Sequence, residues 1–184
     1  MTDTDSVHHR VLNIKDELAS RIKAPLSEIA AMCSEVWPDA DELDDILSHE
    51  IGTLQDCSLM YAWNVEGLEV SSMVQIDNLD PKWRGQDLTD RPYLTNHLPY
   101  KGIMLSSVYR SAYDGRECIT ALQAVNRDHQ LLGFIAADFS LSDLLRGASL
   151  ESSRPRWRQY RGDPAVRGTL FMQERAPSEL DAHI

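Results

Sequence analysis

The sequence lacks the features that would anchor the chain in a membrane or cross-link it covalently. No run approaches the roughly 18–20 apolar residues that a membrane span needs, and the opening MTDTDSVHH lacks the cationic start and apolar core of a signal peptide. The three cysteines, Cys33, Cys57 and Cys118, are odd in number and form no CxxC pair, so we expect no disulfide framework. We therefore expect a cytoplasmic protein without a membrane segment.

Basic residues are also scarce. The chain has 184 residues, of which 18 are Lys or Arg and 29 are Asp or Glu, so its formal net charge is −11. Such a charge repels nucleic-acid backbones and anionic lipid, and we expect neither as a partner. The length suits one domain that buries its core without metals or disulfides.

Motifs of the established catalytic classes are absent. The chain has no GxSxG elbow, P-loop, GxGxxG or HExxH sequence. The three cysteines fall on apolar faces, where a free thiol behaves as a small hydrophobic group. The six histidines are scattered: His8, His9, His49, His97, His129 and His183. We therefore predict that the protein is not an enzyme, and we expect no cofactor and no metal.

Apolar spacing predicts two helices in the N-terminal part of the chain. Spacings of three and four residues place one apolar stripe on a long helix over residues 7–36. Pro25 lies inside this pattern and predicts a kink or break near Ala24. Asp39 then opens a second helix over residues 40–55, with acidic residues in its first turn. The long stripe either packs only on the domain's own sheet or also forms a dimer interface.

Residues 58–139 predict an antiparallel sheet. Asp114-Gly115 is a hairpin dipeptide, because glycine accepts a positive φ. Gly133 inside the last apolar run indicates a bulge or a close backbone approach. Sequential strands joined by short turns pair antiparallel. The predicted strands cover residues 59–65, 68–76, 103–109, 117–125 and 131–139.

Several short motifs then follow one another in a recognisable order. They are Asp90-Arg91-Pro92-Tyr93, Gly102, Ser107-Val108-Tyr109, Asp114-Gly115-Arg116, and a run from Gly133 through Asp138 to Leu141. Their order and spacing resemble a Cache domain, a PAS-like ligand-binding module. The resemblance implies an α+β PAS-like fold of the Cache type, with a long N-terminal helix and a five- to six-stranded antiparallel sheet. We expect this sensor domain to span residues 1–147, followed by an Arg-rich extension over 148–184.

The resemblance also implies a function, namely a sensory domain that binds a small carboxylate or amino-acid-like metabolite in signal transduction. In Cache domains, the residues that match Arg91 and Tyr93 contact the ligand, and an Asp near the place of Asp138 holds its amine. An arginine fork also suits a carboxylate in a way that lysine does not. The candidate ligand-binding residues are Arg91, Tyr93, Tyr100, Lys101, Tyr109 and Asp138.

Other interpretations of these residues stay open. Arg91 would merely fix its loop if it paired with Asp87 or Asp90, and Asp138 would cap the following turn beside Ser140. At the level of the whole domain, the alternative is a PAS-like module for protein interaction and dimerisation that binds no ligand. In either case we predict a homodimer formed through the N-terminal helix.

Overall fold

The computed structural model describes residues 3–95, 98–99 and 101–152. Its first element is a 34-residue helix, α1 (Asp3–Val36). The predicted long helix is confirmed, but no break occurs at Pro25, which lies inside α1. A proline costs the helix one hydrogen bond and some steric strain. Here the buried stripe on both sides of it holds the helix on the sheet, through Leu18, Ile22, Leu26, Ile29 and Cys33.

The second helix, α2 (Ala40–Glu50), begins where the sequence predicted. The Asp39 side chain accepts hydrogen bonds from the main-chain N–H groups of Asp41 and Glu42, which are among those left unpaired at a helix start. The α-helix ends before the predicted residue 55, and a 3₁₀ turn, Ile51–Thr53, follows it.

A buried carboxylate ties α2 to the sheet. Asp44 is 3% exposed and accepts hydrogen bonds from the main-chain N–H and the hydroxyl of Ser72, at 2.6 and 2.5 Å. The Arg84 guanidinium lies 2.5 Å from the same carboxylate and 2.8 Å from Asp41. A buried charge is tolerated when it is paired and hydrogen-bonded in this way.

Seven strands form one sheet within the described residues, and every pairing is antiparallel. In chain order they are β1 (Cys57–Asn64), β2 (Met73–Gln75), β3 (Asn78–Asp80), β4 (Ile103–Leu105), β5 (Tyr109–Arg110), β6 (Glu117–Arg127) and β7 (Gln130–Ser140). Their spatial order is β3-β2-β1-β7-β6-β4, and β5 also pairs with β6. The predicted α+β class is confirmed. The run over 103–109 divides into β4 and β5, and β3 was not predicted, because strands of two or three residues show no alternation.

A third helix, α3 (Leu141–Ser152), follows β7 directly. It continues through Gly147, since this glycine does not have the positive φ of a helix-ending residue. Residues 153–184 lie outside the described residues, so the domain boundary at 147 and the Arg-rich extension stay predictions. Among the described helices, none combines the length and apolar character needed to cross a membrane.

The sheet has two buried faces, because successive side chains of a strand point to opposite sides. One face packs against α1 and α2 through residues such as Met60, Ala62, Ile119, Ala121 and Ile135. The other face is covered by the segments that connect β3 to β6. It carries Leu59, Tyr61, Trp63, Leu122, Phe134 and Ala136, packed against Leu88 and Tyr93. We refer to this second side as the loop-covered face.

Gly133 confirms the predicted close backbone approach. A Cβ atom at this position would lie 2.4 Å from the main-chain oxygen of Trp63 and 2.5 Å from the ring of Trp37. The register of β6 against β7 also shifts beside it, between Val125 and Asn126. Only glycine leaves room for this contact between β1 and β7.

Candidate functional site

Asp138 lies on the loop-covered face, near the C-terminal end of β7. It lies on β7 between β1 and β6, where its cross-strand neighbours are Leu59 and Thr120. The residue is 4% exposed, and the Thr120 hydroxyl donates to its Oδ1 atom at 2.6 Å. The Tyr109 hydroxyl extends this chain with a 2.6 Å hydrogen bond to Thr120 Oγ1.

The position of Asp138 contradicts one of the two roles predicted for it, and its role in ligand binding stays a prediction. Its carboxylate is engaged inside the sheet, and β7 continues through Ser140, whose hydroxyl bonds that of Ser142 at 2.8 Å. The interpretation of Asp138 as a cap of the following turn is therefore wrong. The sequence could not show this, because capping depends on where the strand ends.

Burial raises the pKa of Asp138 from its usual 3.8 to about 7. The hydrogen bond from Thr120 and the positive charge of Arg91 oppose this shift by favouring the ionised form. The carboxyl group therefore changes its charge near neutral pH, unlike an exposed aspartate.

Arg91 directly precedes a 3₁₀ turn, Pro92–Thr95, on the loop that covers the same face. Its guanidinium carbon lies 5.6 Å from the centre of the Trp83 ring, close enough for a cation–π contact. Among the described residues it forms no ion pair. The predicted alternative, pairing with Asp87 or Asp90, is not found there, and Asp87 instead accepts two hydrogen bonds from Thr89. The guanidinium thus retains its capacity to bind an anion.

Arg91, Tyr109 and Asp138 line one cleft on the loop-covered face, together with Tyr61, Met73 and Tyr113. We call it the charged cleft. It contains about 200 Å³ of empty space when its solvent-filled mouth is counted, and about 10 Å³ of this accepts the centre of a water-sized sphere. The cleft is therefore narrow. A cationic and an anionic side chain share it without pairing, which suits a ligand that carries both charges.

A second cleft adjoins the first. It is lined by Ser58, Gln75, Ser111, Arg116, Cys118 and Asp138, with Tyr113 also shared between the two. Its empty space is about 270 Å³ with the mouth counted, of which about 10 Å³ accepts a water-sized sphere. We call it the polar cleft, because most of its lining side chains form hydrogen bonds. Asp138 lies at the junction of the two.

Tyr93 lies one layer deeper. It is 1% exposed, and its hydroxyl shares a 2.7 Å hydrogen bond with that of Tyr61. Its ring meets the Tyr109 ring edge-on, with centres 5.8 Å apart. Burial raises the pKa of Tyr61, Tyr93 and Tyr109 well above the usual value of a phenol, so all three hydroxyls stay neutral. Tyr93 thus supports the wall that Tyr109 presents to the charged cleft.

The remaining predicted site residues do not join this group within the described part of the chain. Lys101 is exposed and lines neither cleft. Tyr100 lies outside the described residues, so its predicted role stays a prediction. The structure thus brings together Arg91, Tyr109 and Asp138, with Tyr93 behind them.

Two further features of the structure were not predicted from the sequence. Tyr113 divides the two clefts and packs against Trp83, with ring centres 5.9 Å apart. Glu69 is 2% exposed, and neither of its carboxylate oxygens has a hydrogen-bond partner in the part of the chain that the structure describes. Burial raises the pKa of Glu69 to about 8, while the charge of Arg91 lowers it. A glutamate beside the polar turn Glu66-Gly67 gives no sequence signal of burial.

No protein-family model and no curated protein matches the chain, but solved structures resemble its fold. The ligand-binding domain of the Pseudomonas fluorescens chemoreceptor CtaA, in complex with L-valine, has 20% sequence identity and a TM-score of 0.57. That of the Campylobacter jejuni chemoreceptor Tlp3, with L-norvaline, has 14% identity and a TM-score of 0.58. These matches cover 75% and 73% of this chain but only 59% and 55% of the two domains. The chain thus spans somewhat more than half the length of structures that share its fold.

Proposed function

We propose that this chain is a sensory domain that binds a small amino-acid-like metabolite in signal transduction. The observation that carries the proposal is the charged cleft itself. It is lined both by the guanidinium of Arg91, which forms no ion pair with any described residue, and by the carboxyl of Asp138. A zwitterionic ligand matches this arrangement, because its carboxylate and its ammonium would each meet an opposite charge.

The structures of similar fold support the same class of ligand. The chemoreceptor domains of P. fluorescens and C. jejuni were solved with the amino acids L-valine and L-norvaline bound. In our proposal this chain uses the corresponding fold for a related purpose: Arg91 binds the ligand carboxylate, Asp138 binds the amine, and Tyr109 forms the wall between them.

Binding would act on the protein by shifting a conformational equilibrium. The charged cleft is narrow, so the side chains at its mouth must move outward when a ligand enters. A ligand that binds this open form more tightly shifts the population towards it. Because β7 carries Asp138 and continues directly into α3, a conformational change at the site would be transmitted to α3 through only a few residues.

The narrowness of the cleft also favours a second candidate, a PAS-like interaction and dimerisation module that binds no ligand. In that case the clefts would stay closed and the functional contacts would lie on the outer surface. The two candidates differ in whether small molecules stabilise the folded protein, which is directly measurable.

We expect Arg91→Ala to abolish the stabilisation by amino acids. A ligand that binds only the native state, at about 100 times its dissociation constant, adds roughly 2.7 kcal/mol to the free energy of unfolding. For a protein of this size, that raises the unfolding midpoint by roughly 5–10 °C. The measurement is thermal unfolding of the full chain against a panel of L-amino acids, carboxylates and amines.

Arg110→Ala is the matched control, since Arg110 is an exposed arginine on β5 next to Tyr109 and lines neither cleft. The sensory proposal requires that a compound stabilises the wild type and the Arg110 variant but not the Arg91 variant. If a compound stabilised the wild type and both variants equally, Arg91 would not contribute to ligand binding. No stabilisation by any member of the panel would favour the interaction module.

A further inference from the structure

The polar cleft continues the charged cleft past Asp138. The two share Leu59, Ser111, Tyr113 and Asp138 among their lining residues. If the amine of an amino acid binds at Asp138, as in the proposed function, its side chain can extend away from Arg91 into the polar cleft. The chemistry of that cleft then decides which side chains are accepted.

Gln75 supplies an N–H donor to the polar cleft. Its Oε1 atom already accepts hydrogen bonds from Asn78 Nδ2 at 3.2 Å and from the Tyr113 hydroxyl at 3.4 Å. These two contacts fix the orientation of the amide and leave the Nε2 group without a partner among the described residues. An acceptor oxygen in the cleft would satisfy it.

Arg116 supplies further donors. Its Nε atom binds Asp114 Oδ2 at 2.7 Å, while its terminal nitrogens have no hydrogen bond to any described residue. The hydroxyls of Ser58 and Ser111 add acceptor sites, because each is a partner in a hydrogen bond that leaves a lone pair available. The cleft therefore presents both donors and acceptors at its surface.

The charges around the polar cleft distinguish among polar side chains. Asp114 and Asp138 contribute two carboxyl groups against the single guanidinium of Arg116, which is already paired with Asp114. A second carboxylate on the ligand would be repelled. A carboxamide, which is neutral and both accepts and donates, matches the lining. An aliphatic side chain would cover the donors without replacing their hydrogen bonds to water, which is unfavourable.

We propose that the polar cleft is the side-chain subsite and that it selects an amino acid whose side chain ends in a carboxamide. This inference rests on the proposed function. It gives this chain a different preference from the aliphatic amino acids bound in the two chemoreceptor structures.

The test measures dissociation constants by titration calorimetry on the full chain, with ligands matched in side-chain length. L-asparagine is compared with L-aspartate and L-leucine, and L-glutamine with L-glutamate and L-norleucine. We expect one of the two carboxamides to bind at least tenfold more tightly than both of its matched analogues. Gln75→Leu and Arg116→Leu should each reduce that preference at least fivefold. Arg116 is exposed, so its variant tests the subsite even if Gln75→Leu disturbs folding.

The possible contrary results differ in whether they contradict the side-chain subsite alone or also the proposed function. If leucine or norleucine binds as tightly as its carboxamide partner, and this binding needs Arg91, the subsite is wrong and the proposed function stands. A preference for aspartate or glutamate overturns the charge argument and with it the carboxamide assignment. A preference that survives both substitutions places side-chain selection elsewhere. If no amino acid binds the folded protein, the proposed function and this inference fail together.

Discussion

Asp138→Asn is expected to stabilise the ligand-free protein above pH 7 and, at the same pH, to weaken the binding of an amino acid by about 30-fold or more. Both effects come from the charge of one buried carboxyl group. The substitution keeps the acceptor oxygen that Thr120 bonds, so the sheet retains its hydrogen bond. It removes the cost of ionising the group in the protein interior. In the proposed function it also removes the counter-charge for the ligand amine.

The sign of the pH dependence follows from the raised pKa. Asp138 has a pKa of about 7 in the folded state and about 3.8 when unfolded. Below about pH 4 both states carry the proton, and the group costs nothing. As the pH rises towards 7 the unfolded state loses its proton first, so the stability of the wild type falls. Since each pKa unit corresponds to about 1.36 kcal/mol, the upper limit of this loss of stability is about 4 kcal/mol.

Urea denaturation of the wild type and the Asn variant at pH 4 and at pH 8 measures this difference. We expect similar stabilities at pH 4 and a more stable variant at pH 8. Glu69 also has a raised pKa, about 8, but it is present in both proteins and largely cancels in the comparison. Asp45→Asn, on the exposed side of α2, is the matched control. An equal gain at both pH values would show that the effect is not one of ionisation.

The binding half of this prediction is independent of stability. An asparagine amide cannot neutralise an ammonium group, and the loss of a close, desolvated charge pair costs roughly 2–5 kcal/mol. The wild type should also bind more weakly below pH 7, as Asp138 takes up a proton, whereas the variant should show no such trend. If the variant kept its affinity, the ligand amine would not bind at Asp138.

Features that depend on nearby residues could be predicted from the sequence, whereas features that depend on residues far apart in the chain could not. The long helix α1, the cap Asp39 and the close approach at Gly133 depend on local periodicity or on one residue's conformational freedom, and sequence revealed all three. The link between Thr120 and Asp138 depends on the register of two strands. A shift of one residue would turn Asp138 to the helical face.

Arg91 is a second case in which the sequence identified the residue but not its contacts. Its type and its loop are readable in the sequence, but the absence of an ion pair with its acidic neighbours is a matter of side-chain geometry. Thr89, two residues away, occupies the carboxylate of Asp87 and leaves the guanidinium to the cleft. Tyr113 lies in a short turn, and Glu69 forms an isolated bridge to Trp63. Glu69 is buried and Tyr113 is half-buried because segments that are distant in the sequence meet around them.

The second large effect is expected at Gly133, where alanine should destabilise the protein by about 3 kcal/mol. The main chain at Gly133 does not have a positive φ, so its backbone conformation is open to alanine and the penalty is one of space. The added Cβ would lie 2.4 Å from the main-chain oxygen of Trp63. The second close contact, at 2.5 Å, is to the buried ring of Trp37, whereas the Trp63 oxygen belongs to the backbone of β1. Relief requires β1 and β7 to separate, and overpacking of this kind costs typically about 1–3 kcal/mol, occasionally more.

Gly147→Ala is the matched control for the same chemical change. Gly147 lies inside α3, and the nearest atom to its added Cβ would be Asp56 Oδ2 at 3.9 Å, an ordinary contact. Alanine in a helix is more favourable than glycine by up to about 1 kcal/mol, so this variant should be slightly more stable than the wild type. Urea denaturation of both variants separates the two cases. A Gly133 variant as stable as the wild type would mean that β1 and β7 do not approach as closely as described. Because β7 also carries Asp138 between Leu59 and Thr120, a strained Gly133 variant that still folds should bind its ligand more weakly as well.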